Sequence, residues 1–207
     1  MALPLTLMAL SAHEAAHAWV ARWRGDRTAE EQGRLTLLPF AHVDPVGTLA
    51  LPILMAVSGG PVIGYAKPTP VDPSRLKRPK LDYSLVALAG PLSNLALALA
   101  LALLGMVLVR ALDLQSPASD LLLGMAIFIN VVLGFFNLAP LPGFDGLKAL
   151  YVLLPDEWCW RLSRAEPFFI VVLVMGLYLG LFRYLLIPAD AATRALCGLA
   201  GIPLPRA

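Results

Sequence analysis

The sequence predicts an all-α membrane protein, a polytopic helical bundle with a small membrane-associated β element. The helices number about four to six, each near the ~20 residues needed to cross a bilayer. Three observations predict it. The chain is 58% apolar and 14% charged, with a mean hydropathy of +0.74, against about 25% charged residues in soluble domains. Long Leu/Ala/Val runs alternate with short stretches rich in Arg, Lys, Pro and Gly. Eighteen prolines are many for a helical protein, so several spans or connections must be broken or extended. At 207 residues the chain is one domain, with a core over 1–154 and a C-terminal span and tail over 155–207. That leaves no room for a separate soluble enzyme domain. The net charge of +2 implies no nucleic-acid partner. Cys159 and Cys197 fit neither a metal spacing nor a disulfide framework and read as packing residues.

The first membrane helix runs from Met1 to about Arg22. It lacks the basic n-region and cleavage site of a signal peptide. Arg22, Arg24 and Arg27 follow closely, which places its C-terminal end in the cytoplasm by the positive-inside rule. With twelve residues before His13, it is short on the N-terminal side. This helix carries Ser11-Ala12-His13-Glu14-Ala15-Ala16-His17-Ala18-Trp19, and within it the pattern H-E-x-x-H. On a helix the i, i+4 spacing sets His13 and His17 one turn apart on one face, where two imidazoles can bind one Zn²⁺. Glu14 then stands beside the metal-bound water as general base, and zinc lowers that water's pKa to about 7. A titratable side chain at the centre of a membrane helix costs roughly 2.5–3.5 kcal/mol on insertion scales. Two of the chain's three histidines in one apolar segment therefore point to function.

From Gly25 to Lys80 the chain changes character. Residues 33–39 read as a short strand after a turn. Val46 to Val57 is apolar but interrupted by Pro52, and Ser58-Gly59-Gly60-Pro61 breaks any helix there. Gly64 to Val71 contains Pro68 and Pro70, each disfavouring helix in the residue before it, so the segment reads as an extended edge strand. Lys67, Arg75, Lys77, Arg78 and Lys80 place its end in the cytoplasm too. Val46 to Val57 is then a re-entrant or partly embedded element lining a cavity.

Leu81 to about Leu112 is the clearest span. Its Gly90-Pro91-Leu92-Ser93-Asn94 predicts a kink and close approach to a neighbour, with Asn94 pointing into the bundle. A loop over 113–120 leads to a return span over 121–138 carrying Asn130 and Asn137. It ends in Asn137-Leu138-Ala139-Pro140-Leu141-Pro142-Gly143-Phe144-Asp145-Gly146, where prolines and glycines unwind the backbone and present Asp145. A helix restarts over 147–154. A polar stretch over 155–167 precedes a last span over 168–187, and the tail after Pro188 reads as a short interfacial helix.

A hydrolytic zinc takes three protein ligands and one open position. Most acidic residues lie in loops beside basic ones, where solvation accounts for them. Asp145 differs, because it follows an apolar span directly, on the same side of the membrane as His17. His42 and Asp44, in Ala41-His42-Val43-Asp44-Pro45, are rival ligands; otherwise they form a polar turn.

The H-E-x-x-H in the first span, the Asn137…Pro142…Asp145-Gly146 segment and the intervening Ala89-Gly90-Pro91-Leu92-Ser93-Asn94 together resemble the site-2 protease family of intramembrane zinc metalloproteases. The resemblance is to its compact prokaryotic branch without a PDZ domain, and it covers about Leu10 to Leu154. It implies a core of three spans, zinc held by His13, His17 and Asp145, and Glu14 as catalytic base. Asn137 would position the substrate or stabilise the oxyanion, and Asn94 would line the site. The substrate, a transmembrane or membrane-associated protein, would unwind and add as a strand beside Gly64 to Val71, against Gly64, Tyr65 and Ala66. The competing class binds metal without hydrolysis, as a divalent-metal transporter or a proteolytically inactive binding module. Against a transporter, the spans over 92–109 and 121–129 carry no titratable residue; against an inactive relative, Glu14 is present.

Overall fold

The computed structural model describes residues 2–50, 53–54, 57, 66–168, 171, 175–176, 179–181 and 183–204. Helix α1 (Ala2–Arg24) buries Ala9, Ser11, Ala15, Ala18 and Ala21 together with His13, Glu14 and His17, and leaves Leu3, Met8, Trp19 and Trp23 exposed. Small residues on the inner face let backbones approach, which matters in lipid, where apolar burial does not by itself drive helices together. A single turn, α2 (Thr28–Glu31), follows.

Helix α3 (Pro79–Met106) runs antiparallel to α1. Arg24, at the end of α1, donates from Nε to Asp82 Oδ1 at 2.7 Å, at the start of α3, whereas the Ala9 carbonyl near the other end accepts from Asn94. Asp82 is fully buried and its second oxygen accepts from the Arg78 N–H, so one carboxylate joins the two helix ends. Helix α4 (Pro117–Asn137) opens with a capping box between Ser116 and Ser119, satisfying amides that the first turn leaves free. Then come α5 (Asp145–Ala149), continued by a 3₁₀ turn over Leu150–Leu153, α6 (Asp156–Ser163) and α7 (Arg183–Ala200). The core lies where α3 gives Ala98 and Ala102, α4 gives Ile127 and Val131, and α7 gives Ala189, Cys197 and Ala200.

The helical bundle agrees with the sequence in its first, second and third long elements. On length and composition, two of the described helices, Pro79–Val109 and Pro117–Asn137, are apolar enough to cross a membrane, fewer than the expected four to six. Of the expected last span, only 168, 171, 175–176, 179–181 and 183–187 are described. The tail does not start a helix of its own at Pro188. Pro188 lies within α7, and Ala189, Thr193, Cys197 and Ala200 are buried against the bundle. The packing outweighs the one backbone hydrogen bond that the proline removes.

Among the described residues there is no strand. Residues 33–38 bend into a 3₁₀ turn over Pro39–His42. Residues 66–71 form neither helix nor ladder: Pro68 and Pro70 lack an N–H, the Lys67 N–H goes to the His42 carbonyl and the Thr69 N–H goes to a side chain of α1. Val46 to Val57 begins as a wide helical turn over Pro45–Ala50; most of its remainder, with Gly64 and Tyr65, lies outside the described residues.

Candidate metal centre

Three elements meet at His13 and His17. The rings are edge-on, with centroids 4.7 Å apart, as the one-turn spacing on α1 requires. His13 Nδ1 lies 2.7 Å from Asn94 Oδ1, and His17 Nδ1 lies 2.6 Å from the Val86 carbonyl oxygen. Both partners accept. The Asn94 amide nitrogen is already committed to the Ala9 carbonyl at 3.1 Å and to Asn130 Oδ1 at 2.9 Å, so its oxygen faces His13. Each Nδ1 therefore carries the hydrogen, and each Nε2 turns a lone pair to the same point.

Asp145 completes the group. Its Oδ2 is 3.0 Å from His13 Nε2 and 3.2 Å from His17 Nε2, and the three ligand atoms all lie within 4.8 Å of one another. The unwound 138–144 turn brings it there. Gly146 is required for that turn, since a Cβ would collide with the Leu138 carbonyl and lie 2.6 Å from the Ala139 oxygen. Two imidazole lone pairs and a carboxylate oxygen converging on one point need a positive charge between them. Two features fit a divalent ion rather than a proton alone. His/His/Asp is a zinc donor set, with both histidines held from behind by hydrogen-bond acceptors. Gly90 of α3 keeps the adjoining space open: a Cβ there would collide with His17 Nε2 and stand 2.6 Å from His13 Nε2.

Glu14 lies on the same helix and is also buried. Its Oε2 accepts from the Thr69 N–H at 2.7 Å, and the Thr69 hydroxyl donates to the Glu14 carbonyl at 2.9 Å. Because Pro68 and Pro70 have no N–H, Thr69 is the single amide donor of that tripeptide. Arg34, 4% exposed, braces the segment by donating to the carbonyls of Lys67 and Pro68. Glu14, His17 and Asp145 open on one cavity of about 270 Å³, with Thr69, Tyr83 and Lys148 also on its walls.

The structure thus brings together His13, Glu14, His17 and Asp145 and separates the rivals. His42 binds the Thr36 carbonyl through Nε2 at 2.9 Å, and Asp44 Oδ1 accepts from the Gly47 N–H; both belong to the polar turn bracing residues 67–69. Asn94 is not on the cavity wall; it is fully buried, with its Oδ1 against the Nδ1 side of His13. Asn137 donates to the Leu133 carbonyl of its own helix at 3.0 Å and is not on the cavity wall. Ala66 stands three residues before the amide that reaches Glu14. The Val86 carbonyl carries no sequence signal, because any residue supplies a carbonyl. Thr69 did carry one, as the lone N–H between two prolines.

No family model matches the chain, and no solved structure matches it. Curated relatives do. The chain is 41% identical over 175 residues to the protein named "Putative zinc metalloprotease YwhC" of Bacillus subtilis, across 82% of this chain and 76% of that one. It is 37% identical over 174 residues to "Putative zinc metalloprotease Rip2" of Mycolicibacterium smegmatis and 35% identical over 173 residues to Rip2 of Mycobacterium tuberculosis, in each case over 82% of this chain. It spans 63% of the length of both Rip2 proteins. With the shared sequence extending over most of this chain and three quarters of YwhC, the chain belongs to this zinc metalloprotease family.

Proposed function

We propose that the protein is an intramembrane zinc metalloprotease of the site-2 type, hydrolysing peptide bonds within or near transmembrane segments of membrane-protein substrates. One observation carries the reading: His13 and His17 converge with Asp145 beside Glu14, and the helix that carries the histidines packs against the two described helices apolar enough to cross a membrane. One zinc ion per chain, held by these three side chains, would supply an activated water and polarise the scissile carbonyl.

The chain's own residues do the rest. Asn94 and the Val86 carbonyl fix the tautomers and ring planes of the two histidines. The Thr69 N–H holds Glu14 Oε2, leaving Oε1, which has no hydrogen-bond partner among the described residues, to take the proton of the attacking water and pass it to the leaving amine nitrogen. A substrate helix has its carbonyls bonded internally and must unwind before attack, so small or helix-breaking residues at the cut should help. The unwound backbone would lie against the wall formed by Pro68, Thr69 and Val71. Irregular backbone of this kind at membrane depth is tolerated where it lines a cavity.

The enzyme would sit in a prokaryotic cell membrane with its cavity open to the cytoplasm. Arg24 and Arg78 meet at Asp82, next to the cavity residue Tyr83, and a basic end is the one expected to face the cytoplasm. The test is a metal analysis of the purified protein paired with cleavage of a panel of single-span substrates. Zinc near one per chain with cleavage supports the reading. Zinc-loaded protein that cuts no member of a wide panel would favour a metal-binding module instead.

A further inference from the structure

Among the described residues, Lys148 is the one lysine or arginine on the wall of the cavity that also holds Glu14, His17 and Asp145. It follows Asp145 by three residues on α5, and i, i+3 side chains on a helix are neighbours with Cβ atoms roughly 5–6 Å apart. It is partly buried, yet its ammonium has no hydrogen-bond or ion-pair partner among the described residues; the contact recorded for Lys148 is through its backbone carbonyl, which accepts from Ser84. Its three donors therefore remain free for an acceptor that enters the cavity. Glu166, also on the cavity wall, forms no ion pair with it within 4.0 Å. Burial opposes the charge on Lys148, but the surrounding Tyr83, Glu166, Asp145 and Glu14 outweigh burial and hold its pKa above the ordinary lysine value. A lysine ammonium is ordinarily protonated at neutral pH.

Peptide hydrolysis puts negative charge on one oxygen atom, first as the oxyanion of the tetrahedral adduct and then as the carboxylate of the amino-side product. We propose that Lys148 receives this oxygen: it is the anion-binding wall of the cleavage cavity, stabilising the charge as it forms and holding the product acid before release. The proposal rests on the protease reading above and names a residue that the metal-ligand and general-base roles leave unused. The balance is that of hydrolysis: the C–N bond breaks, a C–O bond forms, Glu14 carries the proton to the amine, and Lys148 gives up none.

Two measurements test it. In cleavage assays at matched zinc content, Lys148→Met should lower kcat about 10²–10³-fold, the usual effect of losing one oxyanion donor, with KM changed far less; Lys148→Arg should restore part of the rate. The second needs no turnover. In zinc-loaded Glu14→Gln protein, the amino-side product peptide with a free carboxylate should bind more tightly than its C-terminal amide. Adding Lys148→Met should reduce that preference at least about tenfold, or 1.4 kcal/mol, while adding Glu166→Gln should leave it intact. A kcat for Lys148→Met within about threefold of wild type, or an acid preference unchanged by Lys148→Met, overturns the proposal. Equal losses from Lys148→Met and Glu166→Gln also overturn it, by assigning Lys148 to its neighbour instead. If wild type cleaves nothing while Lys148→Met still erases the acid preference, the protease reading fails and the anion site stands.

Discussion

Gly90→Ala tests the packing of the metal centre with the smallest possible perturbation, one methyl group. The added carbon would collide with His17 Nε2 and lie 2.6 Å from His13 Nε2, where ordinary contact is 3.4 Å or more. Relief takes a shift of roughly 1 Å in α3 or in both rings, while zinc ligands tolerate only about ±0.2 Å. The rings cannot turn without giving up Asn94 and the Val86 carbonyl, and loss of such outer contacts alone typically costs 10–100-fold in metal affinity. Direct displacement of two ligands should reach the upper end or beyond, at least about 100-fold, near 2.7 kcal/mol. Chelator-competition titration of purified protein measures it, with circular dichroism to confirm that the helices remain. Gly198→Ala is the control: that glycine has nothing within 4 Å of the added carbon, and its zinc affinity should match wild type. Gly90→Ala with wild-type zinc affinity would refute the geometry around His13 and His17.

Other expected outcomes follow from the same contacts. Asp145→Ala should lower zinc occupancy about as much as His13→Ala, whereas His42→Ala and Asp44→Ala should leave it unchanged; metal analysis of the four proteins decides, and the reverse pattern would return the third ligand to the 42–44 turn. Asn94→Ala strips His13 Nδ1 of its acceptor and should weaken zinc about 10–100-fold without changing cavity residues, seen in the same titration; an unchanged affinity would deny Asn94 its orienting role. Thr69→Pro removes the only N–H donor to Glu14 recorded among the described residues, so cleavage should fall while zinc content holds; normal cleavage in that variant would reduce residues 67–70 to a connecting loop.

Much of this site was legible in the sequence, for reasons that particular residues make plain. His13 and His17 are legible because helical geometry converts a four-residue spacing directly into a shared face. Asp145 stood out because prolines and glycines announce an unwound backbone next to an apolar run. Gly90-Pro91 signalled a close approach, and the neighbour proves to be the histidine pair itself. What escaped depends on rotation and register. Asn94 was legible as a polar residue in a span, but which way α3 turns it is set by packing, and it faces the back of His13. Residues 64–71 have no periodicity that fixes register, so the expectation of substrate contacts at Ala66 gave no sign that Thr69 would reach Glu14. No strand forms over the described residues 66–71, for a reason visible only in three dimensions: the Lys67 and Thr69 amides are drawn to the His42 carbonyl and to Glu14. Pro188 suggested a boundary, and the buried face of α7 overrode it. Lys148 was hidden because a lysine three residues past a carboxylate normally reads as a solvated helix side.

The most direct test of the central claim compares Glu14→Gln with wild type, both zinc-loaded, on one cleavable single-span substrate. Glutamine keeps the shape and the Thr69 contact but cannot accept a proton, and loss of a general base typically costs at least 10²–10⁴-fold. The variant should fold, retain wild-type zinc, lose cleavage by that factor and trap uncut substrate. Cleavage by Glu14→Gln at the wild-type rate would contradict the account.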